Sequence, residues 1–308
     1  MGKLKIPAIS GTWSHIFNPN ETKFMNRLTI MNKSHWYTND HCFVRGPDNL
    51  WHGYGIIGYN ILGFAFSWII EQNLFHITSD SLTRNVWQEH NYALNADRTK
   101  GEQYAWAPHI ISKNNLLYMY YAAGNLRPFS IISGIHGRIQ LATSEDGFKW
   151  KRNEYNPIFS GPGNARDPMI FELNSQYFAY YTTSYNEKDK RSCVAVRTSP
   201  DLRHWSGPKI AFIYPGKNSK WAGNTESPFV VCNEEIFYLF VCHAQKKYNL
   251  TSVYWSEDPE LFPNENHVCD LNTHASEIIF DGEEGWFISN TGWDKKGLFL
   301  APLEWIDN

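Results

Sequence analysis

Three acidic residues in this chain each stand at the start of a short apolar run. Asp40 precedes His-Cys-Phe-Val, Asp167 precedes Pro-Met-Ile-Phe, and Glu226 precedes Ser-Pro-Phe-Val-Val. Carboxyl groups at the start of apolar strands are costly to bury, so such positions often have a function. Glycosidic bonds are hydrolysed by one carboxylic acid that protonates the leaving oxygen and one carboxylate on the other side of the sugar. A third carboxylate raises the pKa of the acid by like-charge repulsion. The three residues therefore predict a sugar-cleaving site if the fold brings them together. The alternative for each is a structural role, in which the carboxylate accepts backbone N–H groups.

A repeated hairpin pattern gives a reason for these residues to meet. Each of five segments begins with a polar or small residue and continues through an apolar run, a turn and an aromatic-rich run. The segments begin at Asp40, Pro108, Asp167, Ser227 and Ser276. Such runs, separated by Asn, Asp and Gly, indicate β-hairpins. A Ser–acid turn followed by an aromatic residue comes after four of them, at Ser79, Ser144, Ser199 and Ser256. Each unit therefore has room for about four strands.

Four-stranded units that repeat around an axis are the blades of a β-propeller. The expected fold class is all-β: a five-bladed β-propeller with four-stranded antiparallel blades around a central channel. Residues 36–308 are expected to form this single catalytic domain, and residues 1–35, which lack the hairpin pattern, an N-terminal arm or closing strand. A two-sheet sandwich is the alternative. In a propeller the innermost strands line the channel, so the three acids would converge there from different blades.

Composition excludes several other classes of function. The net charge is −3, with Lys and Arg scattered along the chain, so a nucleic-acid partner is not expected. No apolar run approaches the ~20 residues that span a bilayer, so no membrane partner is expected. The five cysteines show no C-x-x-C spacing, which argues against a zinc site or a disulfide framework. The N-terminus lacks the apolar stretch of a signal peptide, so the expected location is cytoplasmic, or secreted if a leader has been removed.

Six further residues are candidates for binding a carbohydrate substrate. Aromatic residues make up 16% of the chain, and their rings can stack on a sugar face. For each tryptophan, packing in the core is the alternative. An arginine can hold a neighbouring carboxylate or donate to a sugar hydroxyl, and a channel histidine can form hydrogen bonds. The candidates are Trp51, Trp106, His109, Arg166, Trp221 and His274.

Residues 36–305 resemble the five-bladed propeller glycosidases, most closely glycoside hydrolase family 43. The motifs similar to that family are Trp106-Ala-Pro-His-Ile, Asp167-Pro-Met-Ile-Phe, Glu226-Ser-Pro-Phe-Val, Thr273-His-Ala-Ser-Glu and Leu300-Ala-Pro-Leu-Glu-Trp. Asn39-Asp40 and Arg166-Asp167-Pro168 instead resemble the fructan-active families 32 and 68, although His41 stands where those families have Pro. The resemblance implies a glycoside hydrolase that acts on arabinofuranosides, fructofuranosides or xylosides.

The resemblance also implies roles for the three acids. By similarity to family 43, Asp40 is the general base that activates water, Glu226 is the general acid, and Asp167 tunes the pKa of the acid and orients it. The anomeric configuration then inverts, which is the expectation adopted here. By similarity to the fructan-active families, Asp40 is instead a nucleophile and the configuration is retained. A transferase or phosphorylase of the same fold and a non-catalytic carbohydrate-binding propeller are further alternatives.

The resemblance also bears on cofactors. His274 is similar to a histidine that lies near a channel calcium in some family members. Calcium prefers oxygen ligands. Here the ion would therefore be coordinated through water or be absent, and no cofactor is required.

Overall fold

The computed structural model describes residues 3–19, 36–60, 70–84, 86–125, 137–161, 163–185, 191–216 and 222–307. Within these ranges the strands form five antiparallel sheets, and two short 3₁₀ turns span Arg98–Lys100 and Asn264–Asn266. The sheets form because β-branched and aromatic residues dominate the strands, whereas Asn, Asp and Gly occupy the turns. The arrangement confirms the predicted five-bladed β-propeller. No helix among the described residues has the length and apolar character needed to cross a bilayer.

Blades 1 and 2 each begin with a long hairpin, and their outer strands are short. The strands of blade 1 are β3 (Trp36–Arg45), β4 (Trp51–Tyr59), β5 (Asn73–Ser79) and β6 (Gln88–Glu89), with β7 (Leu94–Asn95) also pairing with β5. The strands of blade 2 are β8 (Tyr104–Lys113), β9 (Leu116–Gly124), β10 (Arg138–Ser144) and β11 (Lys151–Arg152). The first strand of blade 1 packs against the first strand of blade 2.

Blades 3 and 4 repeat this order with four strands each. The strands of blade 3 are β12 (Arg166–Leu173), β13 (Gln176–Ser184), β14 (Ser192–Ser199) and β15 (Lys209–Ile213). The strands of blade 4 are β16 (Glu226–Asn233), β17 (Ile236–Cys242), β18 (Thr251–Ser256) and β19 (His267–Leu271). The acids Asp167 and Glu226 therefore lie in the first strands of consecutive blades.

Blade 5 combines the two ends of the chain. Its strands are β20 (Ile278–Asp281), β21 (Gly285–Asn290), β22 (Leu298–Asp307), β1 (Lys5–Ile9) and β2 (Ser14–Phe17). Both N-terminal strands pair antiparallel with β22. These hydrogen bonds join the beginning of the chain to its end, which closes the ring of blades. Residues 20–35 of the predicted arm lie outside the described residues.

The core lies between the blades, and tyrosines fix how neighbouring blades dock. Three buried clusters each combine residues of adjacent blades. Tyr54 of β4 donates to the carbonyl oxygen of Gly147 in the next blade at 2.7 Å, and Tyr180 of β13 donates to that of Pro259 at 2.7 Å. Tyr120 of β9 donates to Leu202 in the same way. The acceptors lie in the turns that follow Ser144, Ser199 and Ser256, here called the corner turns (144–147, 199–202 and 256–259). The repeated Ser–acid pattern is therefore a docking point between blades.

Candidate active site

A β-bulge in the first strand of blades 1 to 4 turns side chains toward the channel. In blades 1 to 4, two residues of the first strand face one residue of the second, after Thr38, Trp106, Arg166 and Glu226. A bulge of this kind bends the strand and redirects side chains. The second bulge residue is Pro108, Pro168 or Pro228 in blades 2 to 4. Proline suits this position because a bulge residue is left out of the hydrogen-bond ladder.

The three acids occupy three successive positions around this bulge, and not one common position as the hairpin repeat predicted. Glu226 precedes the bulge, Asp167 is a first bulge residue, and Asp40 is a second bulge residue. Asp167 has a φ of 53°, in the left-handed region that β-strand residues seldom adopt. Because the three bulges face one pocket, the one-residue offsets still bring all three carboxyl groups into it.

That pocket has a volume of about 150 Å³ and contains all three acids. Its lining residues are Tyr37, Asn39, Asp40, Ile56, Glu71, Trp106, Arg166, Asp167, Glu226, Tyr248, His274 and Trp293. They come from all five blades or from the loops that follow them. The polar groups converge on a space that also has aromatic walls, which is the composition of a site for a small polar ligand such as a sugar.

Arg166 joins two of the acids. Its Nη2 lies 2.9 Å from Oε1 of Glu226, and its Nε lies 3.4 Å from Oδ2 of Asp167. The guanidinium and the Asp167 side chain are almost fully buried, whereas the Glu226 side chain is 28% exposed. Of the two carboxyl groups, Glu226 is therefore the one with more room to meet a ligand.

Ser227 holds the other two acids. Its backbone N–H donates to Oδ2 of Asp167 at 3.1 Å, and its hydroxyl donates to Oδ1 of Asp40. The positive φ of Ser227, 49°, is part of the bulge geometry that directs the two donors to different blades. One residue of blade 4 thereby fixes carboxyl groups from blades 3 and 1.

The pocket raises the pKa of each acid. Burial is the main cause for Glu226, whose pKa is raised to about 7; Arg166 opposes the shift, and Asp167 and Asp40 add to it. Burial likewise raises the pKa of Asp167 to about 6 against the effect of Arg166. Burial raises the pKa of Asp40 as well, and the Ser227 hydroxyl and Arg166 oppose it. A carboxyl with a pKa near neutrality can hold a proton for transfer, so the geometry and charge of Glu226 suit a general acid.

The predicted supporting residues divide into two groups. Trp106, Arg166 and His274 line the pocket. Trp51 does not: its backbone pairs with Arg45 at the far end of β3, and its indole N–H donates to Asp281 at 3.0 Å. Trp51 was predicted to stack on a sugar, but it lies at the end of the β3–β4 hairpin that is far from the pocket.

His109 and Trp221 complete the predicted set. His109 follows the bulge of β8 and is buried, and its Nε2 lies 3.1 Å from the carbonyl oxygen of Ile170. It is not among the pocket-lining residues. Burial lowers its pKa to about 4, so it is neutral there. Trp221 lies outside the described residues.

Several pocket residues were not predicted from the sequence. Tyr37 and Glu71 come from blade 1, and Tyr248 and Trp293 come from loops of blades 4 and 5. Tyr248 stacks on His274 with ring centroids 3.9 Å apart, and its hydroxyl accepts from the Trp293 backbone N–H at 3.1 Å. None of the four lies in a hairpin entry motif, so the repeat gave no signal for them. Tyr37 alone is close to one, three residues before Asp40.

The predicted calcium near His274 remains a prediction. Nδ1 of His274 lies 2.9 Å from the carbonyl oxygen of Tyr248, and burial lowers the pKa of this imidazole to about 4. Among the described residues, no group of three or more His, Cys, Asp and Glu side chains has the arrangement of a metal site.

Comparisons with known proteins agree with this architecture. The family model "Glycosyl hydrolases family 43" matches residues 65–296. Similar solved structures include a β-xylosidase, with 13% identity, a TM-score of 0.65 and coverage of 87% of this chain and 92% of that chain. An endo-arabinase from Bacteroides thetaiotaomicron has 11% identity, a TM-score of 0.64 and coverage of 96% and 98%. A GH32 β-fructofuranosidase from Bombyx mori has 17% identity, a TM-score of 0.64 and coverage of 93% and 66%. At these identities the structural likeness is one of fold.

Proposed function

Because the chain belongs to glycosyl hydrolase family 43 and is a glycoside hydrolase, we propose that it cleaves furanosides or xylosides by an inverting mechanism. In this proposal Glu226 is the general acid, Asp40 is the general base, and Asp167 and Arg166 set the charge and orientation of the acid. The substrate is a carbohydrate whose terminal sugar occupies the pocket described above.

The observation that carries the assignment of roles is the difference in environment between the carboxyl groups of Glu226 and Asp40. Glu226 has a pKa raised to about 7 and keeps 28% of its side chain exposed, so it can hold a proton and approach a leaving oxygen. Burial raises the pKa of Asp40 as well, but the Ser227 hydroxyl from another blade opposes that rise and fixes the orientation of the Asp40 carboxyl group. A proton donor and an oriented carboxylate in one pocket are the two groups that hydrolysis of a glycoside requires.

The reaction follows from these placements. The carboxylic proton of Glu226 moves to the glycosidic oxygen as the bond to the anomeric carbon breaks. Asp40 takes a proton from a water molecule, whose oxygen forms the new bond to that carbon. Burial raises the pKa of Glu226, and Asp167, fixed by Arg166 and by the Ser227 N–H, stays in place and adds to that rise by charge repulsion. Nothing else has to be supplied but water.

The substrate class rests on the pocket and on the names of the similar structures. The site encloses about 150 Å³, and Trp106 and Trp293 supply aromatic surface of the kind that packs on sugar rings. The similar structures include a β-xylosidase, an endo-arabinase and a β-fructofuranosidase. Furanosides and xylosides are therefore the first compounds to assay.

Proton NMR of the first-formed sugar tests the proposal. The purified protein is mixed with nitrophenyl α-L-arabinofuranoside, β-D-xyloside and a fructofuranoside, and the anomer is recorded before it equilibrates in water. Hydrolysis with an inverted anomer supports the proposal. A retained anomer would make Asp40 a nucleophile, and the assignment of Asp40 as base would be abandoned. The Asp40→Asn protein is the matched control for contaminating activity.

A further inference from the structure

The pocket contains a fourth carboxyl group that the reaction above does not use. Glu71 lines the pocket beside Tyr37, Asp40 and Trp106, and only 5% of the residue is exposed. A carboxyl group buried to this extent is costly unless an interaction compensates it. Resting on the function proposed above, we infer that Glu71 determines substrate specificity: its carboxyl group, oriented by Tyr37, binds a ring hydroxyl of the sugar in the pocket.

The backbone places Glu71 where a sugar ring would lie. It stands two residues before β5, and its carbonyl oxygen accepts the Ala105 N–H at 3.2 Å. That hydrogen bond crosses from blade 1 to blade 2 and fixes Glu71 next to Trp106. Glu71 and Trp106 line the same pocket, so a sugar that contacts Trp106 also lies near the Glu71 carboxyl group.

The side chain is held by a single partner. The hydroxyl of Tyr37, itself 3% exposed, donates to Oε1 of Glu71 at 2.7 Å. This is the one side-chain hydrogen bond that the structure gives the Glu71 carboxyl group among the described residues. One oxygen is thus fixed from behind, and the second is left for a group inside the pocket. An oriented carboxyl group with an unused oxygen is well suited to select a hydroxyl.

The surrounding charges indicate which form of the carboxyl group is present. Burial raises the pKa of Glu71 to about 8; the Tyr37 hydroxyl opposes this shift, and Asp40, Glu226 and Asp167 add to it. Arg166, the guanidinium of the pocket, is engaged with Asp167 and Glu226. At neutral pH Glu71 is therefore a neutral acid. Because Oε1 accepts from Tyr37, the proton lies on the second oxygen, whose O–H can donate to the oxygen of a sugar hydroxyl, which a carboxylate could not do.

Three variants separate this role from a purely structural one. Glu71→Gln keeps the shape, one donor and one acceptor; Glu71→Met keeps the volume but removes both. Tyr37→Phe removes the orienting hydrogen bond and leaves the acid in place. The measurement is kcat/KM for the best nitrophenyl glycoside of the panel and for its monodeoxy analogues, together with the thermal midpoint of each protein.

The expected result is a loss specific to one hydroxyl. Glu71→Gln should stay within about threefold of the wild type. Glu71→Met should lose about 10- to 100-fold on the parent glycoside, in line with a lost hydrogen bond in a buried site, and should lose almost nothing further on one particular deoxy analogue. Tyr37→Phe should fall between them. The inference would be overturned if removal of each hydroxyl lowered kcat/KM by the same factor in the wild type and in Glu71→Met. It would also be overturned if Glu71→Gln lost as much kcat/KM on the parent glycoside as Glu71→Met does.

Two further measurements keep the test decisive. If Glu71→Met does not fold, the alkaline limb of log kcat/KM is compared between the wild type and Glu71→Gln. Two acids, Glu226 and Glu71, should give the wild type a slope approaching −2, and the variant should keep a slope of −1; identical slopes would count against the inference.

If the wild type hydrolyses no glycoside, the proposed function fails. Binding of free arabinose and xylose, followed by tryptophan fluorescence in the wild type and Glu71→Gln, then tests Glu71 by itself, and weaker binding to Glu71→Gln would refute the neutral-acid role.

Discussion

The carboxyl groups of the pocket and those of the corner turns are the same chemical group in opposite environments. In the corner turn of blade 2, Asp146 accepts the backbone N–H groups of Phe148 and Lys149 at 2.8 Å each, and these bonds lower its pKa. In the pocket, burial and neighbouring acids raise the pKa of Glu226 to about 7. The corner acid is solvated and surrounded by donors, whereas the pocket acid is enclosed with like charges. Both recur with the blades, so recurrence alone does not separate structure from chemistry; the environment does.

The two kinds of acid also change the free energy of folding in opposite directions. A corner acid is more acidic in the folded protein than in the unfolded chain, so its charge favours folding at neutral pH. A pocket acid is less acidic in the folded protein than in the unfolded chain, so its charge opposes folding at neutral pH. The pocket thus lowers stability at neutral pH in return for a group that can transfer a proton, as is common for active sites.

The largest effect expected from this comparison is on turnover. Glu226→Gln and Asp40→Asn should each reduce kcat by about 10²–10⁴-fold, because each removes a proton-transfer group from the pocket. The circular dichroism spectrum should remain close to that of the wild type, since neither side chain belongs to the hydrophobic core. Asp146→Asn is the matched control and should keep full activity. Near-wild-type hydrolysis by either pocket variant would remove that residue from the proposed mechanism.

The second expected effect is on the pH dependence of stability. The folded-state pKa of Glu226, about 7, lies above the value near 4.3 for an unfolded chain, so the folded protein binds more protons. The contribution of this group is fully present below about pH 4 and is lost as the pH rises toward and past 7. The Gln side chain of Glu226→Gln cannot lose a proton. The free energy of unfolding of this variant should therefore exceed that of the wild type by about 1 kcal/mol at pH 5, rising to about 3 kcal/mol at pH 8.

Urea unfolding of both proteins at pH 5 and pH 8 measures this difference. Asp201→Asn supplies the comparison from a corner turn. Its carboxylate accepts the N–H groups of Arg203 and His204, and these bonds outweigh desolvation and lower its pKa. Its contribution is present above about pH 4 and is lost as the pH falls, so this variant should lose stability at pH 5 and pH 8 alike. A Glu226→Gln protein whose stability relative to the wild type is the same at both pH values would contradict the assigned environment of Glu226.

The sequence predicted the ring of blades because the hairpin and corner patterns recur at the level of residue types. It also predicted that three acids reach one channel, since entry residues of inner strands must meet there. It did not predict the bulge, whose register depends on backbone conformations such as the positive φ of Asp167 and Ser227. Glu71 was missed because it lies between strands, outside both patterns. Trp51 was misplaced because residue type alone does not show which end of a hairpin faces the channel.

The smallest expected effect is at the corner turn of blade 2. Asp146→Ala removes the acceptor for the Phe148 and Lys149 N–H groups, while the Ser144 hydroxyl still accepts from Gly147 at 2.9 Å. Because the turn is exposed and water can replace the lost acceptor, the cost should be about 1 kcal/mol. Activity should not change, since the turn docks on Tyr54 at a distance from the pocket. Tyr54→Phe, which removes the buried bond to Gly147, should cost somewhat more, because the carbonyl oxygen then keeps the longer bond from the Trp150 indole N–H at 3.2 Å and loses the shorter one. Urea unfolding with parallel kcat measurements checks both variants. A large loss of kcat in either one, at full folding, would show that the corner turns and the pocket are not independent.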